Sequence, residues 1–155
     1  MKKNRGFTIV EVMVTVAIMS VLAAIVGITM GVLLGQRVKS MAADTKSVFQ
    51  STQIAAMGRD NAYIELHQVG NNAYVTAYSS DGDVINRAEA HNVTMSYFVN
   101  GASQGVPSSP VKIYFNRQTG GLKEGAATAV SAISFTNGKR TITLQISRLT
   151  GKVTY

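Results

Sequence analysis

At 155 residues the chain has room for one ordinary domain; 46% of its residues are apolar and its formal net charge is +7. It holds no cysteine, which excludes a disulfide-stapled fold and leaves the folded part to stand on its own core. The apolar average misleads, because those residues are unevenly spread along the chain.

Lys2, Lys3 and Arg5 come first, followed by an apolar stretch interrupted only by Glu11. From Val12 to Gly35 there is no charged residue, a run of 24. A helix needs only about 20 such residues to cross a bilayer core. A secretory signal peptide has a shorter apolar stretch, about 7 to 15 residues, ending in a small-residue cleavage site. Here the run is longer, and only the pair Ala23 and Ala24 approaches such a site. The expectation is a retained membrane helix with its amino end cytoplasmic and the remaining chain outside, because basic residues stay on the cytoplasmic side. Arg37 and Lys39, beyond the run, weaken that asymmetry.

The helical pattern does not stop at Gly35. Val38, Met41, Ala42, Thr45, Val48, Phe49, Thr52, Ala55 and Ala56 recur at three- and four-residue spacing, with Arg37, Lys39, Asp44 and Lys46 mostly elsewhere around the wheel. The helix is predicted to reach about Met57 and to stop at Gly58, a glycine just past the last periodic residue. Residues 8 to 57 would make a rod of roughly 75 Å at 1.5 Å per residue, far longer than a membrane is thick. Its second half must pack on something outside the bilayer.

After Gly58 the period changes. AYIELHQV, AYVTAYSS, DVINRAEA, NVTMSYFV, VKIYFNR, AISFTNG, RTITLQISR and KVTY are short and rich in β-branched and aromatic residues, with Asn, Asp and Gly pairs between them. ISFTNGKRTITLQIS reads as a hairpin, since Asn137-Gly138 suits a two-residue type I′ turn. GASQGVPSSP, with both prolines, reads as a loop. IYFNRQTGGL and LQISRLTGKV share R-x-T-G between strand-like runs. These are read as two similar turns with a glycine in the left-handed region, the alternative being a ligand role for Arg117 or Arg148. The outer part is expected to be a mainly antiparallel β domain laid on the second half of the helix.

Glu11 is the anomaly. A carboxylate at the centre of a bilayer costs about 2.5 to 3.5 kcal/mol, and such residues are usually paired. No basic residue of this chain is helically placed to meet it, so a partner would come from another molecule. The alternative is that Glu11 sits at the headgroup level and favours the helix amino terminus.

K-x-R-G-F-T-I-V-E followed by a long apolar helix resembles the class III leader and amino-terminal helix of type IV pilins and type II secretion pseudopilins. Lys2 to Arg5, Gly6, Phe7 and Glu11 take the family's leader, cleavage and glutamate positions. The resemblance covers residues 1 to about 57 well. The β domain is similar only in general plan, although its T-G-K-V ending looks like that of H-type minor pseudopilins and related minor pilins.

The resemblance implies that a prepilin peptidase cuts between Gly6 and Phe7 and methylates the new Phe7 amine. The helices would then leave the bilayer and stack in a filament core, where Glu11 meets a neighbour's Phe7 amine. At about 4 Å and an effective dielectric of 20, that attraction is roughly 4 kcal/mol. One departure is the lack of any proline before Pro107, where many type IV pilins carry one partway along the helix. Gly27, Gly31 and Gly35 stand instead at four-residue intervals, read as a close-packing face, a soft point for melting, or both. The missing proline favours a pseudopilin or minor pilin over a major pilin.

Without Lys2, Lys3 and Arg5 the charge falls to +4. Residues 58–100 carry −3 and residues 101–155 carry +6. Lys139, Arg140, Arg148 and Lys152 are candidate DNA contacts, as in pilins that serve DNA uptake, against the alternatives of a neighbouring acidic head or plain solvation. No aromatic residues interleave with these charges in a stacking pattern. His67 and His91 are the only histidines, and no phosphate loop or metal-ligand spacing appears. SSDGDV reads as a turn and not as a calcium loop. No enzyme activity, cofactor or metal is expected.

The reading is therefore an α+β pilin-like fold. Residues 1–6 form a leader, 7–35 the transmembrane half of one long helix, 36–57 its amphipathic half, and 58–155 a small antiparallel β-sheet or sandwich head. The expected partners are prepilin peptidase, other pilin or pseudopilin subunits, a membrane assembly platform and, as a further candidate, DNA. The alternative is a membrane-anchored binding module that never polymerises.

Overall fold

The computed structural model describes residues 8–58, 61–107, 109–123 and 130–155. A single α-helix, α1 (Ile9–Gly58), precedes all the strands among those residues. The chain divides into two compact units, Met1–Leu34 and Gly35–Tyr155.

Apart from Glu11, Thr15 and Ser20, residues 9–25 of the helix are apolar on every side. Ile9, Val12, Val14, Val16, Ile18, Leu22 and Ile25 are each more than half exposed. A helix hydrophobic all round belongs inside a large core or a lipid bilayer, because no face of it is suited to water. Among the described residues no helix is long and apolar enough to cross a membrane. Residues 26–34 of the uncharged run, Gly27 and Gly31 included, lie outside the residues whose side chains are described.

In the second unit α1 becomes amphipathic. Val38, Met41, Ala42, Thr45, Val48, Phe49, Thr52 and Ala56 are buried on one stripe, while Arg37, Lys39 and Asp44 are exposed. The expected stripe is present except that Ala55 is only half-buried. The helix ends at Gly58, where the sequence expects its stop.

Two antiparallel sheets complete this unit. β1 (Tyr63–Val69), β2 (Asn72–Tyr78), β3 (Val84–Ala90) and β6 (Val111–Tyr114) form a four-stranded sheet in the order β3-β2-β1-β6. β4 (Thr94–Val99), β5 (Ala102–Ser103), β7 (Val130–Thr136), β8 (Thr141–Ile146) and β9 (Val153–Thr154) form a five-stranded sheet in the order β5-β4-β7-β8-β9. Alternate residues point inward, such as Ile64 and Leu66, Ala73, Val75 and Ala77, or Ile133 and Phe135. They join the helix stripe in one hydrophobic core, where Phe49 meets Phe115 edge to face at 6.0 Å. The fold is α+β, a helix followed by antiparallel sheets, as the sequence implies.

Two turn assignments change. Between β7 and β8 the last pair is Thr136 with Thr141, so four residues form the connection. Gly138 alone of the expected Asn137-Gly138 pair has a positive φ, 82°. The Asn137 Oδ1 accepts the amides of Lys139 and Arg140 at 3.1 and 2.8 Å, and this side-chain cap replaces the type I′ geometry. A two-residue Asn-Gly turn occurs instead at Asn100-Gly101, where the stretch expected to be loop begins. Both residues have positive φ, 51° and 83°, and Val99 faces Ala102 across it.

Candidate functional site

The amino end of α1 is capped by its own sequence. The Glu11 amide donates to Thr8 Oγ1 at 3.2 Å, which makes Thr8 the cap and Glu11 the third helical residue. The Thr15 hydroxyl closes back on the Glu11 carbonyl. A carboxylate in the first turn is favoured by the partial positive charge of the unpaired helix amides. Glu11 therefore has a local reason to be where it is, and T-x-x-E in the sequence carries that signal. Among the described residues no cation pairs with its carboxylate. Gly6 and Phe7, the expected cleavage and methylation positions, lie outside the described residues. Gly35 is half-buried, and a Cβ added there would meet Arg140 Cδ and Nη1 at 3.9 Å, an ordinary contact. Packing within the head therefore does not itself demand a glycine at that position.

The structure does not gather the four candidate DNA contacts into one patch. Lys139 and Arg140 stand on the β7–β8 connection, and Arg140 lies beside Gly35. Arg148 and Lys152 flank the loop that reaches Gln53 through Thr150. Gly35 and Gln53 are 18 residues apart on α1, about 27 Å at 1.5 Å per residue. Arg148 also reaches Asn100, its Nη1 donating to Oδ1 at 3.4 Å.

The two R-x-T-G segments form matching turns. Gly120 donates to the Asn116 carbonyl at 2.8 Å and Gly151 to the Ser147 carbonyl at 2.7 Å. Asn116 then donates to the Gly121 carbonyl, and Ser147 to the Lys152 carbonyl, at 2.7 and 2.9 Å. Gly120 and Gly151 have φ of 67° and 65°, the left-handed region that glycine enters without steric cost. The turns touch each other, the Leu122 amide donating to the Arg148 carbonyl at 2.8 Å. Gln53 ties both to the last turns of α1, its Nε2 donating to Gly120 O at 2.9 Å and Thr150 O at 2.6 Å. The echo is thus a paired clamp on the helix.

The SSDGDV segment is a turn organised by Ser79. Ser79 donates its amide to the Asp83 carbonyl at 2.8 Å, and its hydroxyl accepts the amides of Asp81 and Asp83 at 3.2 and 3.3 Å.

Sequence reading missed the outward face of the four-stranded sheet. Alternation places Tyr63, Glu65 and His67 beside Tyr74, Thr76 and Tyr78, with Arg87 and Lys112 on the flanking strands. Tyr63 stacks on Tyr78 at 5.3 Å and lies 5.4 Å from the Tyr114 ring. Lys112 sits 3.2 Å from Glu65 and 4.9 Å from the Tyr63 ring centroid. The Glu65 hydrogen bond, followed by Tyr63, holds the Lys112 ammonium above its ordinary value. Arg87 lies 2.9 Å from Glu89 and 5.0 Å from the Tyr74 ring centroid. A cleft of about 440 Å³ opens here, lined by Glu65, His67, Tyr74, Tyr78, Arg87 and Pro110 among others. The signal was present in the sequence as tyrosines at alternate strand positions, but their company depends on register.

Comparison with known proteins speaks to the first unit. Residues 1–34 match the family described as the prokaryotic N-terminal methylation motif, which ends one residue before the second compact unit begins. The chain carries the class III prepilin leader of type IV pilins and pseudopilins. No curated protein and no solved structure matches the chain.

Proposed function

We propose that this chain is a structural subunit of a type IV pilus or of a type II secretion-like pseudopilus. It is held in the membrane by the apolar half of α1 until an assembly platform draws it into a filament. The observation that carries the reading is the methylation motif at residues 1–34, joined to an all-round apolar helical unit that needs lipid or other helices to cover it. Prepilin peptidase cuts between Gly6 and Phe7 on the cytoplasmic face and methylates Phe7, which removes Lys2, Lys3 and Arg5. In the filament Glu11 faces the Phe7 amine of a neighbouring subunit. The head stands outside the membrane and folds around its own hydrophobic core. Gly27, Gly31 and Gly35 serve close helix contact and local softness along α1.

Intact-mass and amino-terminal peptide spectrometry of the protein from wild-type cells tests this. The expected product begins at a methylated Phe7. A chain that still retains Met1 and the leader in wild-type cells would overturn the subunit reading and leave a permanently anchored module.

A further inference from the structure

The end of the head at which Gly35 stands is basic. Arg37 and Lys39 follow Gly35, where the uncharged run ends, and both are exposed. The β7–β8 connection reaches the same place, because Arg140 lies against Gly35 and both Lys139 and Arg140 are exposed. None of these four side chains has an ion pair among the described residues, whereas Lys112 and Arg87 on the sheet face do. The acid that shares a recess with Arg37 is Glu89, and it is committed to Arg87 at 2.9 Å. Asp44, further along α1, accepts the Ser40 hydroxyl at 3.0 Å.

Basic residues just outside a membrane span run against the usual bias, which keeps them on the cytoplasmic side. Their position therefore calls for a counter-charge outside the chain. We propose that Arg37, Lys39, Lys139 and Arg140 form a collar that binds the anionic phospholipid headgroups of the membrane from which the head emerges. The inference rests on the reading of the apolar run as the membrane anchor. Helical rise puts Arg37 and Lys39 about 3 and 6 Å past Gly35, inside the Debye length of roughly 8 Å at physiological salt. Arg140 joins them because its side chain lies beside Gly35, 3.9 Å from where a Cβ there would stand. Arg148 and Lys152 belong to the loop at Gln53, about 27 Å along the helix, where the surface potential has decayed. The collar holds the head against the membrane before assembly, and extraction into a filament must break it, which makes that step sensitive to salt and to lipid charge.

The head, Gly35–Tyr155, contains every buried core residue among those described and is the material for the test. Its cosedimentation is measured with vesicles of phosphatidylcholine alone and of phosphatidylcholine mixed with phosphatidylglycerol, across a salt series. Binding is expected only to the mixed vesicles, fading as salt rises. Each cation near the surface contributes about fivefold, so Lys139→Gln with Arg140→Gln lowers partitioning roughly thirtyfold. Arg37→Gln with Lys39→Gln, on a different element, lowers it by a similar factor, so a folding defect in one pair does not decide the outcome. Arg148→Gln with Lys152→Gln removes the same charge at the far end and changes partitioning by less than about twofold. Equal losses from the near and far pairs would overturn the collar, as would a head that ignores anionic vesicles. A head that shifts duplex DNA more tightly than it binds vesicles would overturn it too and assign the cations to nucleic acid. The head lacks the leader and the apolar run, so failure here leaves the Phe7 processing result standing, and failure of processing leaves this one standing.

Discussion

Replacing Gln53 with methionine keeps the side chain's length and removes its amide. Two hydrogen bonds go, to the Gly120 carbonyl at 2.9 Å and the Thr150 carbonyl at 2.6 Å. Gly120 is buried, so its carbonyl cannot recover a water and its loss costs about 1–3 kcal/mol. Thr150 is exposed and its carbonyl rehydrates, so that bond contributes under about 1 kcal/mol. The total is about 2 kcal/mol, which for a head of this size lowers Tm by roughly 6–10 °C. Gln53→Glu is the sharper probe, because a carboxylate has no donor and faces two carbonyl oxygens. It should be worse than methionine at neutral pH. The repulsion favours the protonated form and raises the folded-state pKa of the introduced carboxyl. The extra destabilisation is therefore full above that raised pKa and is relieved as pH falls from it towards the unfolded value of about 4.3. Thermal unfolding of the head followed by circular dichroism reads all three proteins. If Gln53→Met melts with the wild type, or Gln53→Glu is no worse than Gln53→Met at neutral pH, the clamp is not holding the helix to the turns.

Three further outcomes are expected. Gly121→Ala should destabilise the head by about 3 kcal/mol, since the added Cβ meets the backbone oxygens of Leu149 and Arg148, and neither can move without straining the Leu122–Arg148 hydrogen bond; a denaturant midpoint equal to wild type refutes this. Glu11→Gln retains a side chain able to complete the helix cap and removes only the charge, so it should insert normally and fail to enter filaments. If it assembles at wild-type levels while Glu11→Ala does not, the residue's role is the cap at Thr8 and not a charge pair between subunits. If processing falls between Gly6 and Phe7 as proposed, Gly6→Val should leave the leader attached, because a branched side chain replaces a hydrogen at the cut, and a shortened mass for that variant would contradict the proposal.

Periodicity and punctuation were legible in the chain by themselves, because they are local. The stripe from Val38 to Ala56 follows from 3.6 residues per turn, and Gly58 ends it because nothing beyond continues the pattern. The strands were visible as short β-branched and aromatic runs, and the T-x-x-E start of α1 was present though unread. What the sequence left open concerns residues brought together from far apart. Asn137-Gly138 and Asn100-Gly101 are the same dipeptide, yet only the second makes the two-residue turn, because strand pairing decides how many residues must span the gap. The R-x-T-G echo was readable as two turns, but not their stacking or their capture by Gln53, 67 and 97 residues away in sequence. Four basic residues of the carboxyl-terminal half looked like one patch, and the course of β8 sends them to opposite ends of the head. Net charge is a sum over the chain, whereas a binding surface depends on distances that only the closed core determines, and Arg140 beside Gly35 is one of them.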